Sequence, residues 1–175
     1  MNIAILFGRK NSKSIRNKNI LKIFSKPMFM YPLSAAKKVK QIDKIYVSSD
    51  SGYILKQAKK NGCIPINRPK YLCNDKALLE EAIQHAVNYC QNINSNKITN
   101  FIILLCNSIC VRSADIEEGL KILKKTKKID TVTTVSKFNN FSPVRAKKIV
   151  GQKLLNYIPN KNLKKFTPLS CDRDK

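Results

Sequence analysis

The residues Ile3-Ala4-Ile5-Leu6-Phe7 form an unbroken apolar run close to the start of the chain. A strand with one wet face would alternate polar and apolar side chains, so an unbroken run predicts a strand covered on both faces, as in a parallel sheet. Similar runs recur along the chain. Lys44–Ser48 and Cys63–Ile66 read as the second and third strands, and Phe101–Leu105 as the fourth and most buried. Thr131–Val135, β-branched throughout, reads as a fifth.

Helical patterns lie between these runs. Pro27–Val39 carries apolar residues at helical spacing, with Pro27 expected near the first turn. Ser51 is placed to cap a helix that runs to Lys60 and ends at Gly62. Ala77–Cys90 repeats Leu78, Leu79, Ala82, Ile83, Ala86 and Val87 along one stripe. Ser113 is expected to cap a last helix to about Lys124, with Glu117 and Glu118 near its positive end. Strand and helix in alternation imply right-handed crossovers and a mostly parallel sheet between two helix layers, an α/β fold. Ligands of such sheets bind beyond the carboxyl ends of the strands. The loops that matter are therefore Gly8–Asn19, Ser49–Asp50, Arg68–Asp75, Asn107–Arg112 and Lys137–Arg145.

The chain of 175 residues is long enough for one domain with a sizeable core. Its longest apolar run, Phe101–Cys106, is far shorter than the ~20 residues of a membrane span. The first residues lack the basic stretch and cleavage site of a secretory signal, so the expectation is a cytoplasmic protein with no membrane partner.

The formal charge of +23 invites a nucleic-acid reading. However, 28 of the cations are Lys and only 6 are Arg, and the lysines are scattered in pairs over expected helix surfaces. Nucleic-acid binders favour Arg and cluster it. Asn and Ile are enriched alongside Lys, which reads as compositional bias, and no nucleic-acid partner is expected. Six cysteines form no CxxC pair, and His85 is the single histidine, so a Cys/His metal site is poorly supplied. His85 falls mid-helix among apolar residues and reads as a packed side chain.

The loop after the first strand carries the chemistry. It contains one glycine, Gly8, so it is neither GxxxxGK[ST] nor GxGxxG. It holds Arg9, Lys10, Lys13, Arg16 and Lys18, with Ser12, Asn17 and Asn19 as further donors. Cations and N–H donors at the mouth of a parallel sheet suit a triphosphate.

The order of motifs carries a resemblance. Gly8-Arg9-x-x-Ser12-Lys13, then Lys18-Asn19 and Lys26-Pro27, resembles the acylneuraminate cytidylyltransferase family, enzymes that make CMP-sialic acid and related CMP-sugars. Val47-Ser48-Ser49-Asp50 is similar to its V-S-T-D, and Arg68-Pro69-x-x-Leu72-x-x-Asp75 to its R-P-x-x-L-A-x-D. Leu104-Leu105 up to Arg112, and Ser142-Pro143-Val144-Arg145, continue the series, which covers about residues 2–150.

The resemblance implies a Rossmann-like nucleotidyltransferase fold and transfer of CMP from CTP to an acidic nonulosonic sugar. Arg9, Ser12, Lys13, Lys18, Asn19 and Arg68 would hold the nucleotide, with Lys18 and Arg9 as catalytic cations. Arg145 would meet the sugar carboxylate, and Cys106 and Asn107 would face the sugar. Cys106 stands where the family has glutamine, and Ser108-Ile109-Cys110 replace its T-S-P, which favours a sugar other than sialic acid itself. Family members also use Mg²⁺, held by aspartates further along the chain, and form homodimers. Here only Asp172 and Asp174 lie near the last residue.

Residues 1–150 are thus expected as a nucleotide-binding core and 151–175 as the start of an acceptor and dimer region whose remainder is missing. The chain would be a fragment of a working enzyme or a truncated, weakened homologue. A transferase using a different sugar or a sugar 1-phosphate, and a polyanion-binding protein, stay open as alternatives.

Overall fold

The computed structural model describes residues 1–11, 15–74, 77–126, 128–135, 147–151 and 153–157. They fall into two compact units, Met1–Val132 and the part from Thr133 onward. The division lies within the Thr131–Val135 run.

The first strand, β1, spans Asn2–Phe7. It leads into the basic loop and a 3-10 turn at Lys18–Ile20, entered through Asn17 in the left-handed region at φ 56. Asparagine tolerates that conformation better than most residues. A hairpin of β2 (Lys22–Ile23) and β3 (Lys26–Pro27) follows, reversing at Phe24-Ser25 with φ of 46 and 65. Both central residues have positive φ, as tight two-residue hairpins require. Pro27 therefore lies in a strand, and helix α1 spans Met30–Lys37. Pro32 occupies its first turn, where a missing N–H costs no intrahelical bond.

The second large strand, β4, covers Lys44–Ser49, and α2 covers Gly52–Lys60. The Ser51 hydroxyl caps α2 by accepting from Ile54 N at 3.4 Å, and the chain reverses at Gly62 with φ 73. Strand β5 spans Ile64–Asn67, α3 spans Leu79–Ile93, β6 spans Asn100–Leu105 and α4 spans Ser113–Lys125. Ser113 makes no capping bond. The start of α4 is instead held by Asp115, which accepts from Arg112 N at 2.9 Å and from its guanidinium at 2.6 Å.

The four strands form one parallel sheet in the order β5-β4-β1-β6. β1 is central, so its side chains are buried on both faces. Ala4 and Leu6 pack with residues of α1, α2 and α4, including Leu33, Ile54 and Leu120. Ile3, Ile5 and Phe7 pack with Ala82, Ala86 and Cys90 of α3. Full burial contributes roughly 1.5–3 kcal/mol for each large aliphatic side chain. β6, expected as the most buried strand, is half-buried, because β1 is its sole pairing partner among the described residues.

Thr131–Val135 forms no strand. Val135 is 88% exposed, and β-branched residues favour extension but make a strand only against a partner edge. Of the second unit, β7 (Lys147–Val150) and β8 (Lys153–Asn156) are described as an antiparallel hairpin. No helix among the described residues is long and apolar enough to cross a membrane.

Candidate active site

The chain leaves β1 to form β4 and then β5 on one side, and returns to place β6 on the other. This reversal opens a crevice at the carboxyl ends of the strands, the usual ligand position in such sheets. A cleft of about 310 Å³ lies there. Phe7, Gly8 and Arg9 border it from β1, Lys18 and Asn19 from the returning loop, and Arg68 from the end of β5. Leu72, Leu78, Leu79 and Ala82 give it an apolar wall, and Leu105 and Asn107 close it from β6.

The end of β4 ties these parts together. Ser48 C=O accepts from Gly8 N at 3.2 Å and from Arg68 Nη2 at 2.8 Å, and the Ser48 hydroxyl accepts from Arg68 Nε at 3.2 Å. Arg68 N donates to Ser49 C=O at 3.0 Å. Arg68 is 7% exposed as a residue, and its guanidinium lies over the Phe7 ring, 5.7 Å from its centroid. Burial pulls its pKa down, opposed by the nearby Cys73 and Asp50. It remains a cation, because an arginine has a wide margin above neutral pH. It makes no ion pair among the described residues, and its Nη1 donors have no partner there. A buried cation with spare donors bordering a cleft is suited to an anion.

Asn19 shapes the basic loop from within. It is buried, and its Nδ2 donates to Arg9 C=O at 2.9 Å while its own C=O accepts from Phe29 N at 3.0 Å. Arg9 Nη1 donates to Asn74 C=O at 3.3 Å. Gly8 permits a close approach that no other residue would: a Cβ there would stand 2.3 Å from Cys106 Sγ.

Of the sequence-predicted site residues, Arg9, Lys18, Asn19, Arg68 and Asn107 border the one cleft. Cys106 does not. It is 1% exposed, packs in the core beneath Gly8, and burial pushes its thiol up to about 12. Side chains alternate faces at a strand end, so Leu105 turns to the cleft and Cys106 away from it. Ser12, Lys13 and Arg145 lie outside the described residues, as do Asp172 and Asp174. His85, set aside from the sequence, does not border the cleft, and its Nδ1 is buried without a hydrogen-bond partner. Sequence reasoning missed Ser48, whose contribution is partly a backbone carbonyl that any residue has. It also missed the apolar wall, although Leu78 is 62% exposed at the start of α3.

A sequence model of the cytidylyltransferase family matches residues 3–150. The chain belongs to this family. It is 32% identical over 148 residues to a Helicobacter pylori protein described as pseudaminic acid cytidylyltransferase and UDP-2,4-diacetamido-2,4,6-trideoxy-beta-L-altropyranose hydrolase, covering 82% of this chain and 27% of that one. It is also 32% identical over 142 residues to the N-acylneuraminate cytidylyltransferase of Escherichia coli, covering 81% and 33%. The chain thus spans about a third or less of the length of these two relatives. Among solved structures, the fold is similar to a CMP:2-keto-3-deoxy-manno-octonic acid synthetase complexed with CTP, with TM-score 0.60, 18% identity and coverage of 73% of this chain and 49% of that one. It is also similar to a cytidylyltransferase from Leptospira borgpetersenii, with TM-score 0.55, 14% identity and coverage of 96% and 63%. These likenesses bear out the α/β cytidylyltransferase fold with its mostly parallel sheet.

Proposed function

We propose that this cytidylyltransferase-family chain binds CTP and carries the nucleotide-binding half of a reaction that transfers CMP to an acidic nonulosonic sugar of the sialic or pseudaminic kind. The observation that supports it most is the convergence of Arg9, Lys18 and the buried Arg68 on one cleft at the sheet's switch point. The apolar wall of Leu72, Leu78, Leu79 and Ala82 suits the face of a pyrimidine, and the cations suit the phosphates.

In the reaction, a sugar hydroxyl oxygen forms a bond to the α-phosphorus. The bond from that phosphorus to the bridging oxygen breaks, pyrophosphate leaves, and the hydroxyl proton passes to solvent. Such transfers depend on in-line positioning and on cations at the non-bridging oxygens. Lys18 would neutralise the α-phosphate, Arg9 the outer phosphates, and Arg68 would offer its spare donors from the cleft wall. Asn19 would hold the loop in shape. Asn107 would face the acceptor, while Ser12, Lys13 and Arg145 keep the roles the resemblance gives them. Cys106, turned into the core, would bear on the acceptor side only by packing.

The family implies Mg²⁺, which would neutralise phosphate charge. Among the described residues, no group of three or more His, Cys, Asp or Glu is arranged to hold a metal ion. The family resemblance also implies a homodimer.

The test is pyrophosphate release with CTP, Mg²⁺ and a panel of nonulosonic acids. Turnover with CTP is expected, and Lys18→Ala should lower kcat about hundredfold with a smaller change in KM, the effect of removing a charge-stabilising donor. Turnover only with UTP or GTP and a sugar 1-phosphate would point to a different transferase.

A further inference from the structure

Asp50 belongs to the β4 end that holds the cleft together, yet it does not border the cleft. Its carboxylate is not used by the following helix, because Ser51 supplies the cap of α2. Instead Asp50 Oδ1 accepts from Lys10 N at 2.6 Å. Arg9 is therefore fixed on three sides. Gly8 N before it is bonded to Ser48 C=O, its own C=O to Asn19 Nδ2, and Lys10 N after it to Asp50. The end of β4 and the 3-10 turn thus set the backbone of residues 8–10, and with it the direction of the Arg9 side chain.

The charge of Asp50 is a handicap at a polyanion site. It is close enough to Arg68 to act on that guanidinium, and it helps to push up the Cys73 thiol. A carboxylate there weakens anion binding by its field while favouring the buried Arg68 cation, and its bond to Lys10 N is the one that reaches the residues beside Arg9. The geometry points to Asp50 as a positioning residue of the nucleotide site: through the Lys10 amide it holds the basic loop in its phosphate-receiving shape, and it does so without touching the nucleotide. The inference rests on the nucleotide reading of this cleft.

Asparagine keeps the acceptor oxygen and removes the charge, whereas alanine removes both. The experiment compares the full chain with Asp50→Asn and Asp50→Ala by CTP titration calorimetry and by hydrogen exchange at the Lys10 amide. Asp50→Ala should weaken CTP about tenfold and speed Lys10 exchange, as expected for losing a charge-assisted hydrogen bond. Asp50→Asn should bind CTP at least as well as wild type to within about threefold and keep the amide slow, since the acceptor survives. Asp50→Ser, whose hydroxyl falls short of Lys10, replaces the alanine variant if that one does not fold. Unchanged CTP affinity in Asp50→Ala would overturn the proposal, and so would an asparagine variant as weak as alanine, which would make the charge itself the active feature. If wild type binds no CTP, the nucleotide reading fails by itself, and equal Lys10 exchange in wild type and Asp50→Ala would still refute the anchor.

Discussion

Where β1, β4 and β5 end, the cleft is positioned by directional bonds: Ser48 takes three donors from Gly8 and Arg68, Asn19 holds Arg9, and Asp50 holds Lys10. Where β6 ends, backbone bonds hold the chain, no side chain of Leu105–Asn107 adds a hydrogen bond among the described residues, and packing places the side chains. Cys106 N donates to Phe7 C=O at 2.9 Å, its side chain fills the space under Gly8, and the exposed Asn107 stands at the rim. Hydrogen bonds fix angles, so the first wall suits groups that must be aimed, such as phosphate-binding cations. Packing fixes only volume, so the second wall tolerates a change of residue type. The family's basic motifs recur on the first wall, whereas its glutamine and T-S-P are replaced on the second.

The contact between the two walls is the place to break this division. Gly8→Ala would drive a Cβ to 2.3 Å from Cys106 Sγ and 2.9 Å from Cys106 Cβ. It should destabilise the chain by about 2–3 kcal/mol, as overpacked cores do. Adding Cys106→Ala should recover at least half of that loss, because the closer of the two atoms is removed. Chemical denaturation of the single and double variants measures the coupling, and additive losses would show that the walls do not meet at this point.

The directional wall is tested at its buried cation. Arg68→Met keeps an unbranched apolar side chain and removes the guanidinium that lies over Phe7, with all its donors. The buried Ser48 hydroxyl and carbonyl lose the Arg68 donors, so the variant should fold with a loss of about 1–3 kcal/mol. CTP affinity should fall about thirtyfold, the scale of a lost charge-assisted contact. A variant that melts early but binds CTP normally would make Arg68 a structural residue only.

The packed wall predicts a smaller effect at high pH. Burial pushes the thiols of Cys106 and Cys90 from 9.0 up to about 12 and about 11. A group that ionises less readily when folded supports stability fully below its unfolded pKa and loses that support as pH rises through the folded one. Each thiol should therefore withdraw about 1 kcal/mol by pH 10. Cys106→Ala should melt with a shallower decline from pH 8 to pH 10 than wild type. In thiol labelling, the exposed Cys110 should react well before Cys106. Rapid labelling of Cys106 in the folded chain would place it on the surface.

What the sequence made legible follows the range of the forces involved. The unbroken run at Ile3–Phe7, the Ser51 cap and Gly62 are local signals, and each lies where expected. Arg9, Lys18, Asn19 and Arg68 were legible as a set because their order and spacing carry the family resemblance. Three readings failed for want of a partner that sequence does not name. Among the described residues, Thr131–Val135 has strand propensity without a pairing edge, Phe101–Leu105 has an apolar pattern but one paired side, and Ser113 lost its capping place to the Arg112–Asp115 pair. Cys106 was assigned to the cleft by position in a motif, but strand alternation turned it inward. Asp50 stands in a motif of the resemblance, but its bond to Lys10 N joins residues 40 positions apart and is not legible in local sequence.

Titration of the intact 175-residue chain with CTP, GTP and UTP tests the central claim most directly. The account predicts saturable binding of CTP, weaker binding of UTP and GTP, and loss of CTP binding in Arg68→Met with the fold retained. No saturable binding of CTP, or equal binding of all three nucleotides that Arg68→Met leaves untouched, would contradict it.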